Sequence, residues 1–398
     1  MENIIKTFGQ EKINYLQVLM ISIGLGLGFD LVSFLPEYVT VDSQIVTICF
    51  RGLYFFICLY VIHKCYKKKY LTKSYLPLII FFIFYIIRSI FDSFYDYKNI
   101  YFFLLEFWIF VIMLIIIPIL SFSCSINYKT LNRAKLFTLY LAISTNLLGV
   151  FNNIINLEGF KGGRLTSNLL MNPVSFGQMG VILVAICITY LIKSNIINNL
   201  ILFSLIILGI FNIALAGSRG PLIELVLVLV LFIFSNFKKF NKIYFFSILL
   251  LLFFIFIYYS QYFLYFDTAL ARLEGSGQEE RNLLINDALD KIINNPILGF
   301  QAIGSYPHNL LIESLMAFGL LGGILMIYIY YQSIKCILFL VRNDNTSWLA
   351  LILLMYMFAT LISGAIYNSI EFWPLLSLCI YLYKSLHLSK NPRNYRYD

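Results

Sequence analysis

Arginines stand in three hydrophilic stretches of an otherwise apolar chain. They are Arg164, Arg219, Arg272 and Arg281. Arg219 is bracketed by glycines and a proline, so its segment is short and its side chain is predicted to lie at a membrane surface. A guanidinium is planar, permanently charged and rich in donors, which suits a diphosphate or an anionic sugar. If Arg219 is considered by itself, the alternative is that its side chain extends to the phosphate groups of membrane lipids. Three arginine-bearing stretches together favour an anion site.

A second group of polar residues begins the apolar run after the longest hydrophilic stretch: His308, Asn309 and Glu313. A neutral imidazole at this position can take a proton from a sugar hydroxyl or hold that hydroxyl in place. The alternative is that His308 only bonds to backbone at a helix start. Glu313, like Glu224, lies near the predicted outer end of a span, and the sequence leaves open whether each is superficial or faces a polar cavity. We expect His308, Asn309 and Glu313 to contact substrate.

Four charged residues fall inside apolar runs: Asp30, Arg51, Arg88 and Glu106. An ionised group at the centre of a bilayer is costly, so such residues face a cavity or pair with one another. Arg51 and Arg88 either bind a lipid diphosphate that enters from the side or pair with Asp30 and Glu106. The sequence favours pairing.

The composition predicts a polytopic integral membrane protein. Of 398 residues, 60% are hydrophobic and 12% charged. Runs long enough to cross a hydrocarbon core as helices recur along the chain. Twelve spans are predicted, near 15–35, 45–63, 75–91, 100–124, 136–152, 173–192, 199–217, 221–237, 243–264, 309–334, 347–366 and 371–387. The fold class is therefore all-α, with the whole chain, 1–398, as one transmembrane domain.

The distribution of charge predicts the orientation. The net charge is +9, but the basic residues are spread over short loops on one predicted side, which indicates topology and argues against a nucleic-acid partner. Both termini are then cytoplasmic, and the loop at 265–308 faces outward. Within it, Leu283, Leu284, Ala288 and Ile292 fall at helical spacing. They predict an amphipathic helix at 282–293 that lies on the membrane.

Several other chemistries find no support in the sequence. It contains no Walker loop, no H-E-x-x-H motif and no D-x-D in a predicted outward loop. The cysteines fall in spans or predicted cytoplasmic loops, which does not indicate a disulfide framework. We therefore expect neither a metal nor another cofactor.

Four stretches together resemble a known superfamily. They are GRLTSNLLMNP at Gly163–Pro173, SRGPLIELVLVL at Ser218–Leu229, RNLLINDALDKIINNPILGF at Arg281–Phe300 and HNLLIESLMAFGLLGG at His308–Gly323. In order and predicted outward placement they resemble the O-antigen polymerase and O-antigen ligase superfamily of bacterial membrane glycosyltransferases.

The resemblance implies a GT-C-like enzyme in the bacterial inner membrane. Its substrate would be an undecaprenyl-diphosphate-linked oligosaccharide, bound at the outer face among membrane lipids. Arg219 and Arg281 would engage the diphosphate, with Arg164 and Arg272 in the same role, and His308 would correspond to the family histidine. The product would be a surface polysaccharide such as lipopolysaccharide O-antigen or capsule, and a chain-length regulator would be a candidate partner.

Three functions remain open at this point. A polymerase is favoured by the long loop and its Pro-His-Asn entry, at residues 307–309. A ligase would instead transfer the glycan to the lipid A core. A flippase for the same lipid-linked sugars would need a cationic central cavity, whereas here the arginines gather in outward loops.

Overall fold

The computed structural model describes residues 2–35, 43–67, 73–95, 107–155, 172–191, 196–236, 278–302 and 307–390. These parts of the chain are all-helical. The helices are α1 (Glu2–Gly24), α2 (Leu27–Val32), α3 (Ser43–Lys67), α4 (Leu76–Tyr95), α5 (Phe107–Phe122), α6 (Tyr128–Ile155), α7 (Pro173–Leu191), α8 (Ile196–Ala216), α9 (Arg219–Asn236), α10 (Gln278–Asn294), α11 (Leu310–Leu340), α12 (Ser347–Ile362) and α13 (Phe372–Lys390).

Six of the described helices are long and apolar enough to cross a membrane: α3, α6, α7, α8, α9 and α11. Large apolar side chains are exposed on the surfaces of these helices that face away from the bundle. Among them are Ile48, Phe56 and Phe234, the last of which is 79% exposed. Apolar surface of this kind is costly in water and suits lipid. Eleven of the predicted spans overlap described helices, while residues 100–106 and the whole of 243–264 lie outside the described residues. The total of twelve crossings remains a prediction.

Buried asparagines join three of these helices. Asn146 of α6 donates to the carbonyl oxygen of Met179 in α7 at 3.1 Å, and Asn212 of α8 donates to the carbonyl oxygen of Asn146 at 3.1 Å. Inside a membrane such amides bind neighbouring helices because few other partners exist there. Helices α6, α7 and α8 therefore form one packed unit.

The other half of the core is built around α11. It packs against α4, α10, α12 and α13. Aromatic side chains fill the space between α4, α11 and α13, where Phe81 stacks on Trp373 with ring centroids 5.5 Å apart and meets Phe318 edge-on at 5.8 Å. Such pairs add a specific geometry to the packing.

Helices α11, α12 and α13 lie side by side and define the two ends of the bundle. The turn at 341–346 joins α11 to α12, and the segment 363–371 joins α12 to α13 at the opposite end. That segment packs against the first turn of α11, where Ile366 donates its N–H to Glu313 at 2.8 Å. We call this the His308 end, because His308 immediately precedes α11.

Candidate functional site

The segment between α10 and α11 docks into a break in α11. At Gly319 the backbone has φ 62° and ψ −147°, which interrupts the helix. The interruption frees backbone groups on both sides. Phe300 donates its N–H to the Met316 carbonyl oxygen at 2.7 Å, and Leu320 donates to the Pro296 carbonyl oxygen at 2.8 Å. The loop thus supplies hydrogen bonds that the broken helix lacks.

Two glycines make this docking sterically feasible. Gly299 and Gly319 both have positive φ, and their backbones lie against each other's segments. A Cβ atom at Gly299 would lie 2.5 Å from the Ala317 carbonyl, and one at Gly319 would lie 2.4 Å from the Ile297 carbonyl oxygen. Neither position has room for a side chain, and the positive φ favours glycine.

Arg88 and Asp92 of α4 hold the same segment from the other side. The Arg88 guanidinium donates to the Asp92 carboxylate at 2.9 Å, to the Leu298 carbonyl oxygen at 3.2 Å and to the Phe300 carbonyl oxygen. Asp92 also accepts the N–H of Ala302 at 2.6 Å. These charge-assisted hydrogen bonds connect α4 to the segment that ends near His308.

The structure corrects the predicted partner of Arg88. Within the described residues its partner is Asp92, one helical turn away, and no ion pair with Asp30 occurs there. Glu106 lies outside the described residues. For Arg51, no ion pair with Asp30 occurs within the part of the chain that the structure describes. The i,i+4 spacing of Arg88 and Asp92 in one apolar run was the signal that would have identified this pair.

His308 occupies a strained position at the start of α11. Its φ is 56°, in the left-handed region. Among the described residues, every other residue with a positive φ is a glycine. Such conformations cost free energy and concentrate at functional sites, although histidine tolerates them better than most residues. The observed strain supports a functional role for His308.

Asn309 and Glu313 hold the start of α11 in place. Asn309 Oδ1 caps the helix by accepting the N–H groups of Leu311 and Ile312, at 2.9 and 3.1 Å, while its Nδ2 donates to the Leu361 carbonyl oxygen at 2.8 Å. Glu313 is buried and accepts the Ile366 N–H. Both side chains therefore bind the protein itself, and their predicted contact with substrate remains a prediction.

Arg281 and His308 come together at this end. Arg281 lies in the first turn of α10, a helix the sequence predicted at 282–293 and the structure has at Gln278–Asn294. Burial lowers the pKa of His308, and the nearby positive charge of Arg281 lowers that pKa further. An imidazole with a pKa below about 6.5 is neutral at pH 7 and can accept a proton. Burial and the permanent charge of Arg281 together therefore favour the neutral form of His308.

Arg219 begins α9 directly after a tight turn. Gly217 has φ 53°, and Arg219 is the first residue of the helix, half-buried. Helix α9 packs on one part of α12, and α11 packs on another. Glu224, one turn into α9, is buried and accepts a hydrogen bond from Gln178 Nε2 at 3.2 Å. The free N–H groups and dipole at the start of α9 add to the positive charge of Arg219.

Two predicted site residues, Arg164 and Arg272, lie outside the described residues. Within the described ranges, no group of three or more histidine, cysteine or acidic residues has a metal-binding arrangement.

The apolar helices and their exposed apolar surfaces define a polytopic integral membrane protein. Residues 203–327 match the model of the O-antigen ligase family. The match confirms the resemblance to the O-antigen ligase and polymerase superfamily, whose members are membrane glycosyltransferase-like enzymes. It includes Arg219, Arg281, His308 and Gly319. Comparison with curated proteins gives no match.

Proposed function

We propose that the protein is a surface-polysaccharide polymerase of the bacterial inner membrane. It transfers glycan from undecaprenyl diphosphate onto the non-reducing end of another lipid-linked repeat unit. The observation that carries the proposal is a strained His308, whose pKa is lowered by burial and by the charge of Arg281, inside the region that matches the family. The distribution of basic residues supports an outward-facing His308 end.

The proposed reaction is a single displacement that inverts the anomeric carbon. The acceptor hydroxyl oxygen forms a bond to that carbon while the bond from the carbon to the diphosphate oxygen breaks. The bonding electron pair leaves with the diphosphate, and the hydroxyl proton passes to His308 and then to water. Arg281 and Arg219 stabilise the negative charge that grows on the diphosphate. Because the donor is already activated, the protein needs chiefly to align the two substrates.

A ligase is the second candidate, because the matching family is described as O-antigen ligase. The two reactions share the donor and the leaving group and differ in the acceptor, which in a ligase is the lipid A core. The same Arg281 and His308 would serve both. The acceptor therefore has to be identified by experiment.

The test is the surface glycan of a strain that lacks the protein, analysed together with its lipid-linked intermediates. We expect core lipid bearing one repeat unit without a ladder. Bare core with long chains on the carrier lipid would identify a ligase. Single repeats retained on the cytoplasmic side would identify a transporter and overturn the proposed site.

Complementation then tests the residues. Arg281→Ala and His308→Ala are each expected to reduce ladder formation by about a hundred-fold or more, the usual effect of removing a charge-stabilising donor or a general base. Arg342→Ala is the matched control, because Arg342 is exposed in the turn at the opposite end. Full-length glycan from both site variants at normal expression would contradict the assignment.

A further inference from the structure

A second polar group lies near the His308 end, built from residues far apart in the chain. It consists of Asp30 of α2, Arg51 and Tyr54 of α3, Tyr356 of α12 and Glu371 just before α13. The charge of Glu371 acts on each of the other four. We call it the Arg51 cluster. It lies outside the region that matches the family.

Asp30, Arg51 and Glu371 of this cluster are partly exposed, whereas Tyr54 and Tyr356 are buried. Helix α12 has 16 residues and is therefore about 24 Å long, shorter than a hydrocarbon core of about 30 Å. The segment 363–371 that follows it is non-helical in large part and packs against α11. Irregular backbone at membrane depth occurs where it is buried in protein or lines a polar cavity. Glu371 ends this segment and faces the cluster.

The charged side chains of the cluster lie close enough to interact electrostatically but are not in direct contact. Within the described residues, Asp30, Arg51 and Glu371 form no ion pair. The Arg51 guanidinium lies between the rings of Phe29 and Phe110, 5.1 and 5.0 Å from their centroids. Its buried Nε has no hydrogen-bond partner among the described residues.

Two tyrosines complete the Arg51 cluster. The Tyr54 hydroxyl is buried, lies beside the Cys58 thiol and has no oxygen or nitrogen partner in the described chain. The Tyr356 hydroxyl donates to the Leu25 carbonyl oxygen at 2.7 Å. A Cβ atom at Gly26 would lie 3.2 Å from that hydroxyl and 3.5 Å from Glu371. Buried polar groups that lack partners are costly. A ligand with polar groups on several sides would satisfy them.

The chemistry of the cluster selects among ligands. Two carboxylates repel a phosphate, and the guanidinium of Arg51 repels a cation. Hydroxyl groups can donate to the carboxylates and accept from the guanidinium, and aromatic rings offer flat apolar faces. A saccharide presents hydroxyls of this kind around an apolar ring face. The cluster therefore suits a neutral sugar.

We propose that the Arg51 cluster binds sugar residues of the acceptor glycan. The proposal rests on the proposed function, since it assigns the second substrate of the same transfer. The cluster and His308 share one supporting element, because Ile366 of the 363–371 segment bonds Glu313 in the first turn of α11. Asp30 and Glu371 accept hydrogen bonds from the acceptor, while Arg281 binds the donor diphosphate elsewhere at the same end.

The experiment separates the two substrates with the full-length protein in lipid nanodiscs. One probe is the free oligosaccharide released by mild acid from lipid-linked repeats of a strain lacking the protein. The other is undecaprenyl diphosphate. Asp30→Asn and Glu371→Gln should each weaken oligosaccharide binding by about ten-fold or more, as expected for losing a hydrogen bond to a carboxyl group. Binding of undecaprenyl diphosphate should not change.

Asp344→Asn, in the turn at the opposite end, is the matched control. Arg281→Ala should show the reverse pattern, with weaker binding of undecaprenyl diphosphate and normal binding of the oligosaccharide. If either Asp30→Asn or Glu371→Gln fails to fold, oligosaccharide binding is measured with the remaining one of these variants and with Arg51→Lys. Unchanged oligosaccharide binding in the folded cluster variants would overturn the proposal, as would stabilisation by sodium ions that Asp30→Asn abolishes. Neither result would affect the glycan test of the proposed function, which depends on Arg281 and His308.

Discussion

His308 combines three properties that single residues rarely share. Its backbone is in the left-handed region, its side chain is half-buried, and Arg281 stands close enough to lower its pKa. The strain is held by Asn309, which caps α11 on one side and bonds to the end of α12 on the other. The backbone at His308 is therefore anchored next to α11, and the lowered pKa favours the neutral imidazole that the proposed role as a base requires.

Burial and then the charge of Arg281 lower the pKa of His308. Removing that charge stabilises the imidazolium, so Arg281→Gln should raise the pKa of His308, whereas Arg281→Lys should leave it close to the wild-type value. Nuclear magnetic resonance of labelled histidine measures this directly. His308→Gln assigns the signal, and His63 and His387 are internal controls. An unchanged pKa in Arg281→Gln would show that the two side chains do not interact.

Activity should follow the same titration. A general base works in its neutral form, so transfer should be constant near pH 7 and fall as the pH decreases through the lowered pKa of His308. The measurement is the rate of glycan extension between pH 4.5 and 8 in nanodiscs. A rate that instead falls as the pH increases through this range would contradict a neutral base.

At the scale of secondary-structure elements, the segment that follows α10 packs into the break in α11. A helix of 31 residues would normally satisfy its own backbone, but Gly319 opens it and the segment 296–300 fills the opening. The break lies about two and a half turns into α11, which begins just after His308. Helix α10, with Arg281, is connected to the same segment. The docking therefore fixes the distance between two site residues that come from different elements.

Substituting Gly319 should disrupt this docking. Gly319→Ala introduces a Cβ atom into the Ile297 carbonyl and forces a positive φ on alanine, so the free energy of unfolding should fall by more than about 1 kcal/mol. Gly52→Ala is the matched control, because a Cβ atom there meets nothing within 4 Å. Thermal unfolding in detergent measures both. Equal melting temperatures for the two variants would show that the docking contributes little.

The pair of Arg88 and Asp92 holds the docked segment from α4. Arg88→Met leaves the buried Asp92 carboxylate without its cation, which should reduce stability by about 3 kcal/mol or more. Arg88→Met/Asp92→Leu removes both charges, so stability should recover in part. Glycan extension should stay low in both variants, because Leu298, Phe300 and Ala302 lose their anchors. Recovery of activity together with stability in the double variant would refute this positioning role.

At the scale of the whole molecule, function depends on which side of the membrane the His308 end faces. The described helices bring His308, Arg281 and the 363–371 segment to one end, and the turn at 341–346, with Arg342, lies at the other. The excess of basic residues in predicted cytoplasmic loops indicates that the His308 end faces outward. An outward site would receive lipid-linked repeats after they have crossed the membrane.

Cysteine labelling tests this orientation. Ile297→Cys places a thiol within the docked segment at a position that is 74% exposed, and Arg342→Cys places one in the opposite turn. Cys49, which is exposed, is first replaced by serine. A membrane-impermeant maleimide should label Ile297→Cys in intact spheroplasts and Arg342→Cys only after permeabilisation. The opposite pattern would place the site in the cytoplasm.

Much of the fold follows from local sequence. The length and hydropathy of apolar runs predicted α3, α6, α7, α8, α9 and α11, and the spacing of Leu283, Leu284, Ala288 and Ile292 predicted α10. Helical periodicity is a property of neighbours in the chain, so the sequence by itself determines it. The arginine and histidine motifs likewise indicated a resemblance to the superfamily, and residues 203–327 match its O-antigen ligase family model.

Only the tertiary structure decided which of these residues meet. Arg88 binds carbonyl oxygens more than 200 positions away in the chain, and Gly299 contacts the α11 break across a hydrophilic stretch. Glu371 drew no attention in the sequence and became part of the Arg51 cluster only through folding. The physical reason is that helix formation depends on hydrogen bonds within four residues, whereas a site depends on packing between helices whose order in space the local pattern does not specify.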